Sequence, residues 1–223
     1  MSWVALGSPV PHDTRQNYAP FAWPVGDVEQ LVKPNLAIQS FVDVLGARRS
    51  QRTFGPLTVR DLSSLLWLSC REISSWESGF GYALSLRPVP SAGAIHCIHV
   101  LIGTADGSHW RRYDPINHVL VTVTGNDTAN ADLRANVGEL LDPMDGMIVQ
   151  LVAEPGKVAA KYENPSSLIW RDAGAVIAHL GLAASYLGLH CCALGIDGNA
   201  WASMLDPGRR LAGVGVVLIG SPT

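Results

Sequence analysis

The 223-residue sequence predicts an α+β fold. Helical periodicity comes early, over residues 37–46 and 58–70. β-rich runs then cluster between residues 95 and 153. One long apolar helical segment, residues 168–189, separates them from the last strand candidates at 191–197 and 213–219. This order is not the regular strand–helix alternation that builds a parallel sheet. A central mixed or antiparallel sheet flanked by helices is expected, with a long buried helix at its centre.

The elements follow in order. Residues 1–36 carry five prolines (Pro9, Pro11, Pro20, Pro24, Pro34) and the aromatics Trp3, Tyr18, Phe21 and Trp23. The prolines forbid a long helix and the aromatics need a surface to cover, so an extended N-terminal arm is expected. Residues 37–223 then read as a single domain. In 37–46, Ile38, Phe41, Val42 and Leu45 recur at helical spacing and Gly46 is a stop. In 58–70, Thr58 caps, Asp61 sits at the third helical position, and Leu62, Leu65, Leu66 and Cys70 share a face. Residues 71–90 show little periodicity and read as a loop. Residues 95–102 read as a strand. Residues 109–113 and 118–123 flank the turn sequence DPIN and read as a hairpin. Residues 129–141 read as a helix and 146–153 as a buried strand. The segment 168–189 is rich in Ala and Gly, which allows close approach of another helix. Its Arg171, Asp172 and His179 argue against a membrane span.

Composition bounds the function. With 48% hydrophobic and 16% charged residues, the chain has ample material for a core. Lys and Arg number 16 against 19 Asp and Glu, a net charge of −3. Such a chain has no global attraction for nucleic acid or an anionic membrane, so any anion must be held by a local cationic cluster. The four cysteines (Cys70, Cys97, Cys191, Cys192) include no C-x-x-C pair, and adjacent Cys191 and Cys192 suit a disulfide poorly. Free thiols in a reducing compartment and no metal site are expected. The N-terminus lacks the basic residue and apolar core of a signal peptide, and no apolar run reaches about 18 residues without polar interruption. A cytoplasmic protein is the expectation.

Four stretches could carry chemistry. Arg48-Arg49-Ser50-Gln51-Arg52 concentrates three guanidiniums and a hydroxyl in five residues. It is either an anion site, since arginine forks match phosphate oxygens bidentately, or a solvated basic turn. Arg87 to Ala94 (RPVPSAGA) precedes a strand. There Gly93 lets the backbone come close to a flat ligand and Ser91 offers a hydroxyl, unless the stretch is simply a loop entering the strand. Lys161-Tyr162 pairs two groups usable for acid–base work, or is a surface Lys beside a packing Tyr. Leu189 to Asp197 (LHCCALGID) follows the long helix and could point backbone N–H groups at a ligand. His96 and His99 fall on opposite faces of a strand-like run, and neither they nor His179 acquire a role from spacing.

Taken in order, RRSQRTF, TVRDLSSLLW, PVPSAGAIH, YDPINHVL, KYENPSSLIWRDAGAVIAHLGLAASYLGL and GVGVVLIG resemble the nitroreductase superfamily, most closely its azoline dehydrogenase branch. Those enzymes oxidise thiazoline or oxazoline rings in peptide natural products. The resemblance implies FMN bound at the interface of a homodimer. It implies that Arg48, Arg49 and Ser50 hold the phosphate and ribityl region, with Arg52 near ring or phosphate. It further implies that Pro90, Ser91, Ala92 and Gly93 line the isoalloxazine, that the backbone of Leu194 and Gly195 approaches its edge, and that Lys161 and Tyr162 are the acid–base pair. The function expected is an FMN-dependent dehydrogenase of a heterocycle, acting on a small-molecule or peptide-derived substrate. Two alternatives stay open: an NAD(P)H-dependent reductase of nitro, quinone or enone compounds, and a flavin-free family member serving as a binding or partner subunit.

Overall fold

A computed structural model of the chain describes residues 5–103, 109–125 and 127–223. Trp3, read above among the arm's aromatics, lies outside them. In chain order the elements are β1 (Val10–Pro11), β2 (Val25–Gln30), α1 (Phe41–Ala47), α2 (Val59–Cys70), β3 (Ser74–Trp76), β4 (Leu84–Leu86) and a 3-10 turn (Ala92–Ala94). There follow β5 (Ile98–Gly103), β6 (Trp110–Asp114), β7 (Val119–Val123), α3 (Asp127–Leu140), β8 (Met147–Ala153), α4 (Pro155–Ala159) and β9 (Tyr162–Glu163). The last are α5 (Ser166–Leu187), β10 (His190–Ala193), α6 (Asn199–Leu205) and β11 (Ala212–Gly220).

Period-two patterning builds the centre. The strands pair in the order β10-β11-β8-β5-β6-β7-β2, every neighbouring pair antiparallel. Successive strand residues point to opposite faces, and here both faces are apolar. Val100 and Ile102 of β5, Val149 and Leu151 of β8, and Val217 and Ile219 of β11 join one core with Leu62, Leu66, Val176 and Leu180 of α2 and α5. The intervening Leu101, Ile148, Val152, Val216 and Leu218 join a second core with Trp110, Leu133 and Trp201. Helices α2 and α5 therefore cover one face, and α3 and α6 the other. This is the α+β fold that the element order predicts, and of the mixed or antiparallel sheet expected the antiparallel one forms.

Local chemistry sets the boundaries. The Thr58 hydroxyl accepts the Asp61 N–H at 3.1 Å and caps α2, as predicted; such caps contribute about 1 kcal/mol. The DPIN turn forms between β6 and β7, with the Asp114 carboxylate accepting the Ile116 N–H (3.0 Å) and the Asn117 amide (2.8 Å). Helix α5 ends where Gly188 turns left-handed at φ +68.

Several elements differ from expectation. Helix α1 starts at Phe41, not residue 37, and buries Val44 while Ile38, Phe41, Val42 and Leu45 stay exposed. Among the described residues nothing covers this apolar stripe, although α1 itself packs on α5. Residues 71–90, read as a loop, contain the β3–β4 hairpin. The strand expected from residue 95 begins at Ile98, because the preceding residues turn: Ala94 and His96 have φ +60 and +49. The strand expected over 191–197 ends at Ala193. Helices α4 and α6 are two turns or fewer, too short for periodicity to register. Within the proline-rich arm, polar VGDVEQ forms the edge strand β2 against β7. Among the described residues no helix is long and apolar enough to cross a membrane.

Candidate active site

The loop before β5 is anchored by α5. Asp172, buried in the first turns of α5, accepts the Ser91 hydroxyl (2.5 Å) and the Ala92 N–H (3.0 Å). Burial raises its carboxyl above the usual aspartate value, and these two donors pull it partly back. Ser91 Oγ in turn accepts the His96 N–H at 2.9 Å. Held this way, Gly93 takes a left-handed φ of +62, which glycine adopts without a Cβ clash.

Lys161 and Tyr162 arrive at the same place from another direction. Strand β9 pairs with β1 of the arm, placing Tyr162 opposite Pro11, and the His12 N–H donates to Lys161 O at 3.0 Å. A methyl placed on Gly93 would lie 2.6 Å from Lys161 Nζ and 3.0 Å from the Tyr162 hydroxyl. Lys161 Nζ also sits 5.4 Å from the Tyr162 ring centroid. Among the described residues neither polar group has a hydrogen-bond or ion-pair partner, although both are half-buried. Two protic groups thus converge on the Gly93 loop without being committed to the protein.

The arginine cluster is laid along the edge of the sheet. The Gln51 N–H donates to Cys191 O, the Cys191 N–H returns to Gln51 Oε1 (both 3.2 Å), and His190 Nδ1 donates to Thr53 O at 2.6 Å. This clamp on β10 leaves Arg48, Arg49, Ser50 and Arg52 exposed. Arg48, Arg49 and Ser50 border a cavity of about 340 Å³, walled by Gly174, Ala178 and Gly181 of α5 with Cys191 and Ala193 of β10. Arg52 does not line it. The Leu194 N–H is committed to Val216 O at 2.9 Å, so of the two expected backbone donors only Gly195 is free. The space beside Gly195 is open, with no atom within 4 Å of an added Cβ.

The structure therefore assembles two groups. One is Ser91, Ala92 and Gly93 with Lys161 and Tyr162; Pro90 lines the cavity behind that loop. The other is Arg48, Arg49 and Ser50 beside the β10 end that leads to Leu194 and Gly195. Helix α5 serves both, through Asp172 for the first and through its small-residue face for the second. Asp172 is the residue that sequence reasoning missed as an anchor. Its signal was a carboxylate inside an otherwise apolar helix, which needs donors once buried. His99 is absorbed by Glu154 at 2.9 Å, His96 by Ser85 O at 2.9 Å, and His179 Nδ1 faces Ala175 O at 3.0 Å in its own helix. All four cysteines are buried and unpaired, and burial pushes the Cys70 and Cys191 thiols up to about 12 and Cys97 higher still. None of these three is poised as a thiolate nucleophile. Among the described residues no group of three or more His, Cys, Asp or Glu is placed to hold a metal.

Comparison with solved structures supports the fold independently. A protein from Ralstonia eutropha described as a nitroreductase superposes with a TM-score of 0.70 at 22% identity, covering 97% of this chain and 98% of that one. The E. coli microcin synthetase McbBCD complex with truncated pro-MccB17 bound gives 0.59 at 16% identity, with 87% and 78% covered. A nitroreductase in complex with FMN from Desulfovibrio desulfuricans gives 0.53 at 18%, with 84% and 88% covered. A search of curated proteins finds no match. The model of the nitroreductase family matches residues 45–204, which include the arginine cluster, the Gly93 loop, the Lys-Tyr pair and all of α5; the chain belongs to this family of oxidoreductases.

Proposed function

We propose that the protein is an FMN-dependent dehydrogenase that acts as a homodimer and oxidises an azoline-type heterocycle or a related biosynthetic intermediate. The observation that carries this reading is the convergence of Lys161 Nζ and Tyr162 Oη, both without partners, on the Gly93 loop.

The residues present fit FMN. Its phosphate needs cationic donors, and Arg48 and Arg49 are exposed with no carboxylate partner among the described residues. A flat ring needs a surface free of side chains, and the α5 wall offers Gly174, Ala178 and Gly181. Gly195 contributes a free N–H. When bound, FMN supplies the acceptor for a hydride equivalent. Aromatising an azoline would release that hydride and one ring proton, and the proton would go to Lys161 Nζ as the free amine or to Tyr162 Oη as the phenolate. Asp172 keeps the loop in register by holding Ser91 and Ala92.

Two further observations support a dimer. The α1 stripe of Phe41, Val42 and Leu45, with Ile38 just before it, is exposed next to the arginine cluster in sequence. The Arg48, Arg49 and Ser50 group lines a different cavity from Pro90 and Ser91 of the Gly93 loop, which suits a site shared between copies. A small-molecule or peptide-derived substrate is favoured, in keeping with the peptide in the microcin synthetase complex. Buried, unpaired thiols suit a reducing, cytoplasmic setting.

The test begins with the absorption spectrum of the purified protein between 300 and 550 nm and identification of any released chromophore. Bound FMN that is lost in Arg48→Ala/Arg49→Ala, together with azoline oxidation lost in Lys161→Ala while flavin is retained, is the expected result. A protein that takes up no FMN would overturn the reading. Undiminished turnover in Lys161→Ala, or NAD(P)H-driven nitro reduction in place of azoline oxidation, would remove the dehydrogenase assignment.

A further inference from the structure

Pairing between β5 and β6 runs from Gly103–Trp110 to Leu101–Arg112 and stops, whereas β5 stays paired to β8 as far as Ile98. A cavity of about 250 Å³ lies where the strands part. Its lining combines the aliphatic side chains of Val89, Ile98, Val100 and Val176 with the cations Arg87, Arg112 and Lys157. Neither guanidinium makes a contact ion pair among the described residues. Among the described residues no carboxylate lies within 4.0 Å of Arg87 or Arg112. Arg87 makes one hydrogen bond, from Nε to Ser85 Oγ at 3.1 Å. Arg112 Nε is buried without a partner, and its guanidinium lies 5.6 Å from the Trp23 ring centroid.

Asp114 and Asp172 also line the cavity, but the nearby acids make their hydrogen bonds to other groups. Asp172 holds Ser91 and Ala92, and Asp114 caps the β6–β7 turn. Glu72 accepts the Ser75 hydroxyl. Glu154 accepts the Phe21 N–H and His99, and pairs with Lys157 at 3.4 Å. Half-buried cations without a contact counter-ion are costly, and a guanidinium fork matches a carboxylate bidentately. The cavity therefore has cationic groups for an anionic head and aliphatic walls for its body.

We propose that this cavity is a binding site for a small organic carboxylate with an aliphatic body, its head held by Arg87 and Arg112. The local potential agrees. His96 and His99 both line the cavity and are held down to about 4, by burial first and then by cations, Arg87 for His96 and Lys157 and Arg112 for His99. The site is independent of the flavin reading, since Arg48, Arg49, Lys161 and Tyr162 do not line it. It sits behind the loop that carries Gly93, with Pro90 and Ser91 in its wall.

Isothermal titration calorimetry of the purified protein tests this, with hexanoate as probe and 1-hexanol and inorganic phosphate as controls. The expected result is saturable binding of hexanoate at one site, at least tenfold tighter than either control. Arg87→Met and Arg112→Met each weaken it at least tenfold, Arg112→Lys retains part of it, and Arg60→Met on exposed α2 leaves it unchanged. The Met variants fill similar volume and remove a half-buried charge that has no contact ion pair, so their melting temperatures do not fall. Equal binding of hexanol, tighter binding of phosphate, no saturation with hexanoate, or wild-type affinity in the folded Met variants would each overturn the proposal.

Discussion

Acid should unfold this protein through its buried histidines before its carboxylates matter. His96 and His99 have ordinary values near 6.5 and are pushed down to about 4, mainly by burial. Each is neutral in the fold and donates from Nε2, His96 to Ser85 O and His99 to Glu154 Oε2. The unfolded chain takes up their protons from about pH 6.5, whereas the folded chain resists until about pH 4, so stability falls as pH drops through this window. At 1.36 kcal/mol per pKa unit, each histidine costs about 2 kcal/mol between pH 7 and pH 5, and about 3 kcal/mol by pH 4. His118 is shifted in the same direction, again mainly by burial. Asp172, raised by burial, works oppositely, adding stability as it protonates. Burial alone would raise Glu154, but His99, Lys157 and the Phe21 N–H bring it down to about 2. Its stabilisation is present above about pH 4.5 and is lost only below that. The assay is urea unfolding at pH 7 and pH 5 of wild type, His96→Gln and His99→Gln, since Gln keeps an N–H donor at each position. Each variant should lose about 2 kcal/mol less than wild type over this interval. An identical loss in all three proteins would show that these histidines are not the neutral buried groups inferred here.

Three other outcomes are expected. Asp172→Ala leaves the Ser91 hydroxyl and Ala92 N–H without their acceptor and should cost about 2–4 kcal/mol in urea unfolding, with Asp172→Asn milder. A Cβ at Gly156 would lie 2.1 Å from Cε2 of the Tyr18 ring, over which the Arg210 guanidinium sits at 5.5 Å. Gly156→Ala should therefore displace the arm, cost about 1–3 kcal/mol, and speed proteolytic cleavage near Tyr18. Phe41→Glu with Val42→Glu puts charge on a stripe that is 66% and 74% exposed in the single chain. It should leave the monomer folded and abolish the proposed dimer in analytical ultracentrifugation, and a dimer that survived would place the interface elsewhere.

The sequence by itself determined the layers. Apolar runs at 146–153 and 213–219 are buried on both faces as β8 and β11, the Thr58–Asp61 cap starts α2, and DPIN turns β6 into β7, because each depends on neighbours a few residues apart. The motifs were legible too, since RRSQR and PSAG are contiguous. Tertiary structure decided what those motifs face. Lys161 and Tyr162 reach Gly93 only because the arm holds β9 and Asp172 anchors the loop from some 80 positions away. The α1 stripe looked like core and stayed exposed, since periodicity reports an apolar face without saying what covers it. The parting of β5 from β6, and the two guanidiniums it gathers, depends on pairing register and leaves no trace in either strand's composition. Short-range patterns select elements; the cost of burying polar groups, paid across long sequence separations, places them.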